Sequence, residues 1–246
     1  MQKLLNQNSS YTNDFNLITN RVLEIKKNIL LHCKKCKRSL EDIKLMIVTK
    51  GVNPEIIGKL DPMRYGFDFF GENYIQEFEG KVECLLNNNT FNRKYFHFIG
   101  HLQKNKINKV FKYFSSIDSI DSISLLESIS KKSINNSIEN NIILEIKTTD
   151  EDSKYGFIPE ELINKFEYIK EIPGIKINGL MTMGPLNGDE KSIRKSYKTL
   201  KNVWETLKDK YKVKLPYISM GMSSDYKIAL EEGSTLLRIG RAIFGR

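Results

Sequence analysis

The sequence has few cysteines and no long apolar run, and each absence argues against a class of protein. Only three cysteines, Cys33, Cys36 and Cys84, occur in 246 residues, too few for a disulfide framework. A reducing compartment is therefore expected, and we predict a cytoplasmic protein. No stretch of about 18 consecutive apolar residues occurs, so no membrane span is expected. Residues 1–20 lack the apolar segment and the small-residue cleavage site of a secretory signal.

Two of the cysteines lie close together in a basic segment. Lys34 and Lys35 separate Cys33 from Cys36, a spacing that also occurs in zinc sites. A structural zinc site needs four ligands, and His32 is the only further candidate nearby. We therefore interpret the pair as two unrelated thiols at the end of a basic helix, and no metal site is predicted.

Basic residues outnumber acidic ones, which gives a formal net charge of +9. Residues 1–50 hold ten Lys and Arg against four Asp and Glu, and so contribute +6 of that charge. This stretch has no nucleic-acid-binding motif and no interleaved aromatic residues. The chain is also rich in Lys, Asn and Ile throughout, so compositional bias explains the charge more simply. Nucleic acid is not an expected partner, although a basic nucleic-acid-binding protein is kept as an alternative.

Apolar runs alternate with amphipathic segments after an N-terminal helix. In that helix Phe15, Ile18, Val22, Ile25 and Ile29 recur at spacings of three and four, which marks one apolar face. Eight short apolar runs follow, and a helical pattern or helix start succeeds each of them. These runs predict strands at residues 43–50, 65–73, 95–100, 114–120, 141–149, 175–183, 215–220 and 235–240.

The alternation of strand and helix decides the predicted fold. It favours a parallel sheet, and near-continuous apolar runs are typical of strands buried on both faces. Eight such repeats in about 250 residues predict a closed α/β fold, the (β/α)8 TIM barrel. An open doubly wound sheet is the alternative, but its usual glycine-rich phosphate turn is missing after the first strand. No Pro-, Gly- or Ser-rich linker occurs, so we predict one domain over residues 1–246, with residues 1–40 as a helical extension packed on it.

Small-residue turns follow the seventh and eighth predicted strands. Gly221, Met222 and Ser223 follow one strand, and Gly240 and Arg241 follow the other. In such barrels these two loops often bind a phosphate. Glycine lets the backbone approach an anion, and the amides that open each following helix point toward it. We predict a phosphate site here; the alternative is a pair of tight turns without a ligand.

Two cations lie near the carboxyl ends of predicted strands. Lys50 closes the first strand, where an amine can act as a nucleophile toward a carbonyl. A lysine beside a phosphate site suggests either a sugar-phosphate aldolase or pyridoxal phosphate held as a Schiff base. Arg238, two residues before Gly240, would suit a pyridine nitrogen, an acceptor that a sugar lacks. The alternative for Arg238 is a structural ion pair with a carboxylate of the barrel.

Six segments, in order from about residue 40 onward, resemble the pyridoxal phosphate homeostasis protein family, the YggS/PROSC-type proteins. They are FGENYIQE (70–77), FHFIGHLQKNKINKV (96–110), SKYG (153–156), GLMTMG (179–184), SMGMSSD (219–225) and GSTLLRIGRAIFG (233–245). That family is related in fold to the N-terminal barrel of alanine racemase. The resemblance therefore implies an alanine racemase N-terminal-domain-like barrel.

The resemblance also implies a cofactor and the residues that bind it. The barrel would bind pyridoxal 5'-phosphate (PLP), with Lys50 as the Schiff-base lysine. Asn73 would lie beside the cofactor ring, and Arg238 would face the pyridine nitrogen. The residues implied around the phosphate are Met222, Ser223, Gly240 and Arg241, with Ser219 and Gly221 nearby. The implied role is intracellular PLP (vitamin B6) homeostasis, in which the protein buffers the cofactor or delivers it to PLP-dependent apoenzymes.

Arg241 departs from the family pattern. A small hydroxyl residue usually follows the Arg-Ile-Gly segment, and it would hold a phosphate through its amide and its side-chain oxygen. Arginine keeps the amide but replaces the short donor with a cationic fork suited to phosphate. We expect the Arg241 side chain to fold toward the phosphate; exposure to solvent is the alternative.

No catalytic residue is predicted. Racemisation needs a second base on the other face of the cofactor, and a pyridine that faces an arginine is a poor electron sink. In alanine racemase a second domain and a partner subunit supply the opposing tyrosine, and we expect this protein to lack that domain. We therefore predict a monomeric PLP carrier that is not an enzyme. The alternative is a PLP- or Lys-dependent racemase or aldolase-type enzyme, with His101 or Tyr74 as its acid–base residue.

Overall fold

Eight parallel strands close into a barrel in the computed structural model, which describes residues 14–149, 151 and 155–245. The strands pair in chain order, and the last strand closes on the first, with Ile239 opposite Ile47. They are β1 (Lys44–Val48), β2 (Phe69–Glu72), β3 (Phe96–Phe98), β4 (Ser116–Ile120), β5 (Asn140–Glu145), β6 (Ile175–Met181), β7 (Tyr217–Ser219) and β8 (Leu236–Ile239). The predicted barrel is confirmed, and the open-sheet alternative is wrong.

Helices follow the strands in the order that the sequence predicts. Over the described residues they are α1 (Phe15–Lys35), α2 (Pro54–Lys59), α3 (Pro62–Tyr65), α4 (Ile75–Asn87), α5 (Ile107–Tyr113), α6 (Ile123–Asn135), α7 (Pro159–Lys170), α8 (Glu190–Tyr211), α9 (Tyr226–Glu231) and α10 (Arg241–Phe244). Short 3-10 turns at Arg93–Tyr95 and Lys104–Lys106 precede β3 and α5. None of these helices combines the length and the apolar composition needed to cross a membrane.

Helix α1 packs on the end of the chain. Four of the five residues of the predicted apolar face are buried, with Ile18 and Val22 fully enclosed, and Phe15 is half-buried. The Arg21 guanidinium donates a hydrogen bond to the Ile243 carbonyl of α10 at 3.2 Å. The described part of the predicted extension therefore lies against the outer helices. Residues 1–13, which belong to the same prediction, lie outside the described residues.

The connection from β1 to β2 differs from the sequence prediction. Strand β1 ends at Val48, and Lys50 lies in the turn that follows. Two short helices come next, each with a proline in its first turn, and the side chains of Asn53 and Asp61 accept hydrogen bonds from their first-turn amides. Asp61 and Pro62, the second cap and proline, begin α3 directly after α2 has ended. The segment after β1 therefore forms two short helices instead of one.

The barrel is packed inside as well as outside. Met46, Ile143, Met181 and Leu236 form an interior cluster, and a larger apolar layer lies between the strands and the helices. Arg238 pairs in register with Met46 and so also faces the interior, above Leu236 in the same strand. A filled interior leaves a ligand only the ends of the barrel.

The cysteines near the end of α1 occupy different environments. Cys33 is fully buried, and this burial raises the pKa of its thiol. Cys36 is half-buried and lies with His32 and Glu231, whose ligand atoms are all within 4.8 Å of one another. The His32 ring already pairs with the Glu231 carboxylate at 2.8 Å. Cys33 is not part of this group, so the four-ligand set that the zinc alternative needed is not assembled among the described residues.

Candidate functional site

The carboxyl ends of β1, β2 and β8 carry the predicted residues to one edge of the barrel. Val48 pairs with Gly71, which places the ends of β1 and β2 side by side. On the other side of β1, a Cβ atom at Gly240 would lie 3.2 Å from the Val48 carbonyl oxygen. The loops that contain Lys50, Asn73 and Gly240 therefore begin next to one another.

Lys50 lies in a turn that is tied down on both sides. Thr49 is buried, and its amide donates to the Gly71 carbonyl at 3.0 Å. The amide of Gly51, a residue with a φ of 70° that favours glycine, donates to the Glu77 carboxylate at 2.6 Å. The Lys50 side chain itself is half-buried. The amine therefore starts from a backbone with a defined conformation.

Asn73 follows β2 and carries a buried oxygen atom that needs a donor. Its Oδ1 atom accepts no hydrogen bond from any described residue. Gly100 packs closely on the Asn73 backbone. A Cβ atom at Gly100 would lie only 2.0 Å from the Asn73 carbonyl oxygen. A buried acceptor without a donor costs free energy. Asn73 therefore fits a polar ligand such as the substituted ring of PLP.

Arg238 is a buried cation held by neutral oxygens. Its guanidinium donates to the Ser219 carbonyl at 3.0 Å, to the Ser219 hydroxyl at 2.6 Å and to the Thr182 carbonyl at 2.9 Å. Burial lowers the pKa of Arg238 below the ordinary arginine value, against the opposing effect of nearby acidic groups. Within the described residues no carboxylate forms an ion pair with it, so the alternative role as an ion-pair partner lacks support.

The three bonds use three of the five N–H donors of the Arg238 guanidinium. For the other two donors the residues that the structure describes provide no acceptor, so a ligand acceptor such as a pyridine nitrogen could use them. Ser219, which is fully buried, serves here as a partner of Arg238.

The loop after β7 has the conformation expected of a glycine turn. Gly221 has a φ of 97°, and a Cβ atom there would lie 2.5 Å from the Ala229 Cβ atom. The Met222 amide donates to the Asp225 carboxylate at 2.6 Å, so this amide is already used within the loop. A phosphate at the predicted site would therefore have to compete with the Asp225 carboxylate for the Met222 amide.

Ser223 joins the two predicted phosphate loops. Its hydroxyl oxygen accepts a hydrogen bond from the Ala242 amide of α10 at 3.1 Å. The amides of Ser223, Gly240 and Arg241 donate to no acceptor among the described residues. These amides are the donors that an anion at this position would use. The Arg241 side chain is exposed, and its folding toward a phosphate stays a prediction.

Three residues around the site were not identified from the sequence. Thr182 supports Arg238, and Asp225 holds the loop after β7. Tyr197 of α8 is buried beneath Gly184, and burial together with Asp225 raises the pKa of its hydroxyl. Thr182 lies in the GLMTMG segment and Asp225 in the SMGMSSD segment. Their short polar side chains within these segments are the signal from which a role at the site could have been predicted. Tyr197 lies in none of the six segments.

The two acid–base candidates lie at the same end of the barrel, on the loops after β2 and β3. Tyr74 is 62% exposed. His101 is exposed, and its Nδ1 atom lies 3.2 Å from a carboxylate oxygen of Asp121. Its ring stacks on Tyr155 with 4.3 Å between the centroids. Ser153 and Lys154 of the SKYG segment lie outside the described residues.

Comparisons with known proteins agree with this architecture. The family model described as "Alanine racemase, N-terminal domain" matches residues 24–246. A pyridoxal phosphate homeostasis protein of Aquifex aeolicus is 35% identical over 225 residues, which cover 92% of this chain and 96% of the relative. The alignment therefore includes nearly the whole of both proteins.

Solved structures show the same barrel. A structure described as that of an unknown protein from Bifidobacterium adolescentis is 30% identical, with a TM-score of 0.84 and coverage of 96% of this chain and 98% of its own. PipY of Synechococcus elongatus, in a structure with PLP bound, is 25% identical with a TM-score of 0.78, over 93% of this chain and all of its own. By fold, by family model and by near full-length identity, the chain belongs to the family of pyridoxal phosphate homeostasis proteins, built on the alanine racemase N-terminal domain.

Proposed function

We propose that this protein binds PLP at the carboxyl edge of its barrel and acts in PLP homeostasis. The observation that carries the proposal is Arg238, a buried guanidinium with neutral partners at the same edge as Lys50 and the two glycine loops. When bound, PLP supplies an aldehyde that condenses with a lysine amine, so that a C=N bond replaces the C=O bond and one water leaves. Relatives that carry the name, and the PLP in PipY, support this choice of ligand.

Different residues at the carboxyl edge of the barrel bind different parts of PLP. Lys50 provides the amine for the covalent bond, and Asn73 provides a polar contact for the ring. Arg238 donates to the pyridine nitrogen and, as a group that stays charged, keeps a proton off that nitrogen. The phosphate is bound by the amides of Ser223, Gly240 and Arg241 and by the Ser223 hydroxyl. Met222, Gly221 and Ser219 shape these loops.

This set of residues fits a protein that carries PLP better than an enzyme that uses PLP for catalysis. An unprotonated pyridine nitrogen withdraws electrons weakly, so the bound cofactor would stabilise a carbanion poorly. We therefore propose a monomeric protein that buffers PLP or delivers it to PLP-dependent apoenzymes. We place it in the cytoplasm because its three cysteines are all free.

Titration of the purified protein with PLP tests the proposal. We expect one equivalent of PLP to bind per chain and to produce an absorbance band in the visible, above about 400 nm, because a lysine-bound pyridoxal absorbs there. Pyridoxine 5'-phosphate, which has an alcohol instead of the aldehyde, should bind without that band. The absence of a visible band at saturating PLP would refute the proposed function.

An enzymatic function is the second candidate, and the His101 geometry favours it. A histidine paired with Asp121 and stacked on Tyr155 at this end of the barrel is a possible acid–base group. We expect no turnover: PLP-loaded protein with L-alanine or L-serine should form less product than one equivalent, by chiral chromatography. Many turnovers that disappear in His101→Gln would instead make the protein an enzyme.

A further inference from the structure

A buried lysine lies against the turn that carries Lys50. Lys81 of α4 is only 6% exposed. Its ammonium donates hydrogen bonds to the Thr49 carbonyl at 2.8 Å and to the Glu72 carboxylate at 2.9 Å, and it forms an ion pair with the Glu77 carboxylate at 2.6 Å. Three oxygen atoms therefore surround the ammonium, two as hydrogen-bond acceptors and one as an ion-pair partner. The ammonium of Lys81 is therefore engaged in this network and not directed at a ligand.

The same network bonds to both neighbours of Lys50. The Thr49 hydroxyl donates to Glu72 Oε1 at 2.7 Å, in addition to the bond between the Thr49 carbonyl and Lys81. On the other side, the Gly51 amide donates to Glu77 Oε1 at 2.6 Å. The peptide groups that precede and follow Lys50 are thus held by the α4 side chains Lys81 and Glu77, and Glu72 of β2 holds the Thr49 hydroxyl.

The network also connects the two strand ends of the candidate site. Glu72 is the last residue of β2, is fully buried and directly precedes Asn73. Burial raises the pKa of its carboxyl group, while Lys81 opposes this shift. Burial of a carboxylate costs free energy unless the carboxylate is paired, so the burial of Glu72 depends on its ion pair with Lys81. The turns that contain Lys50 and Asn73 therefore share one anchor.

We propose that Glu77, Lys81 and Glu72 are positioning residues that direct the Lys50 amine toward the PLP aldehyde. The inference rests on the proposed function. Gly51 has a left-handed backbone and is exposed, so it adds no side-chain packing that could hold the turn. The bond from Glu77 to its amide supplies that restraint. A nucleophile held in place reacts without first losing the freedom of a loose chain.

Glu77→Met is the most informative variant, because Glu77 is 36% exposed and Lys81 keeps Thr49 and Glu72 as partners when it is removed. We expect the affinity for PLP to fall about tenfold, the loss typical of a charge-assisted hydrogen bond. The affinity for pyridoxine 5'-phosphate, which cannot bond covalently to Lys50, should stay unchanged. Hydrogen exchange of the Gly51 amide in the cofactor-free protein should become faster.

Two further variants separate positioning from general damage. In Glu77→Gln the amide oxygen can still accept from the Gly51 amide, so most of the PLP affinity should return. Glu79→Met is the matched control, since Glu79 lies on the same helix and pairs with Lys109 at 2.7 Å away from the turn. It should change the affinity for neither ligand.

The outcomes distinguish this inference from the proposed function. An unchanged PLP affinity in Glu77→Met, or equal losses for PLP and pyridoxine 5'-phosphate, would overturn the positioning role while PLP binding itself stands. A wild-type protein without a visible band at saturating PLP would instead refute the proposed function, and the positioning role with it.

Discussion

Lys50→Ala is expected to abolish the visible absorbance band of the PLP-bound protein and to leave the barrel folded. Alanine has no amine, so the cofactor can be held only by non-covalent contacts from the other residues of the edge. Lys50 is half-buried in a turn outside the strands, so we expect the free energy of unfolding to fall by about 1 kcal/mol or less. Visible absorbance spectra and thermal denaturation measure the two effects.

Lys147→Ala is the matched control, because Lys147 is a half-buried lysine on the loop after β5 at the same end of the barrel. It should keep the visible band. Borohydride reduction of the PLP-loaded wild type, followed by peptide mapping, should place the pyridoxyl group on Lys50. Labelling mainly at Lys147 or at Lys81 would show that the assignment of the amine is wrong.

Arg238→Met is expected to weaken PLP binding about 10- to 100-fold, the range for loss of a hydrogen bond from a charged donor. Methionine has a similar length and can fill the space among the interior side chains. It leaves the Thr182 carbonyl oxygen without its donor and removes one of the two donors to the Ser219 carbonyl oxygen, so the free energy of unfolding should also fall, by about 1–3 kcal/mol. Fluorescence titration and chemical denaturation measure these changes.

Arg238→Lys tests whether the planar guanidinium matters or only its charge. Lysine keeps the charge but cannot reach two carbonyl oxygens and a ring nitrogen with one rigid fork, so we expect only partial recovery of affinity. Arg64→Met, at an exposed arginine of α3, is the control and should bind PLP normally. If Arg238→Met folds and binds PLP with the wild-type affinity, Arg238 is a structural residue without a role toward the cofactor.

The barrel was predictable from the sequence because its signals are local. Strands buried on both faces must be apolar along their length, as the run Leu45–Ile47 shows. The carboxyl ends of parallel strands all lie at one end of the barrel. The sequence pattern therefore places residues that follow separate strands, such as Lys50, Asn73 and Gly240, at the same end. The exact ends of the strands were less predictable from the sequence. Strand β1 ends at Val48, two residues before Lys50, because the chain turns after Val48.

The partners of the buried polar groups were not predictable. Lys81 looks like one more helical lysine in a lysine-rich chain, and only the packing of α4 on β1 and β2 places its ammonium on Thr49 and Glu72. The sequence suggests a ring nitrogen or a carboxylate as the partner of Arg238, whereas the structure adds main-chain oxygens of Thr182 and Ser219. These pairings join residues that are far apart in the chain, so no local pattern encodes them.

The sequence by itself determined the class of fold, the edge of the barrel where the candidate site residues lie and the residue types present there, because hydrophobic periodicity and strand order depend on the chain alone. Tertiary structure alone decided which groups are buried, which of them are satisfied and which still need a partner; the Asn73 oxygen, without a donor among the described residues, and the Lys81 ammonium, bonded to Thr49 and Glu72, show this. The physical reason is that the cost of burying a polar group depends on the three-dimensional position of its hydrogen-bond partners.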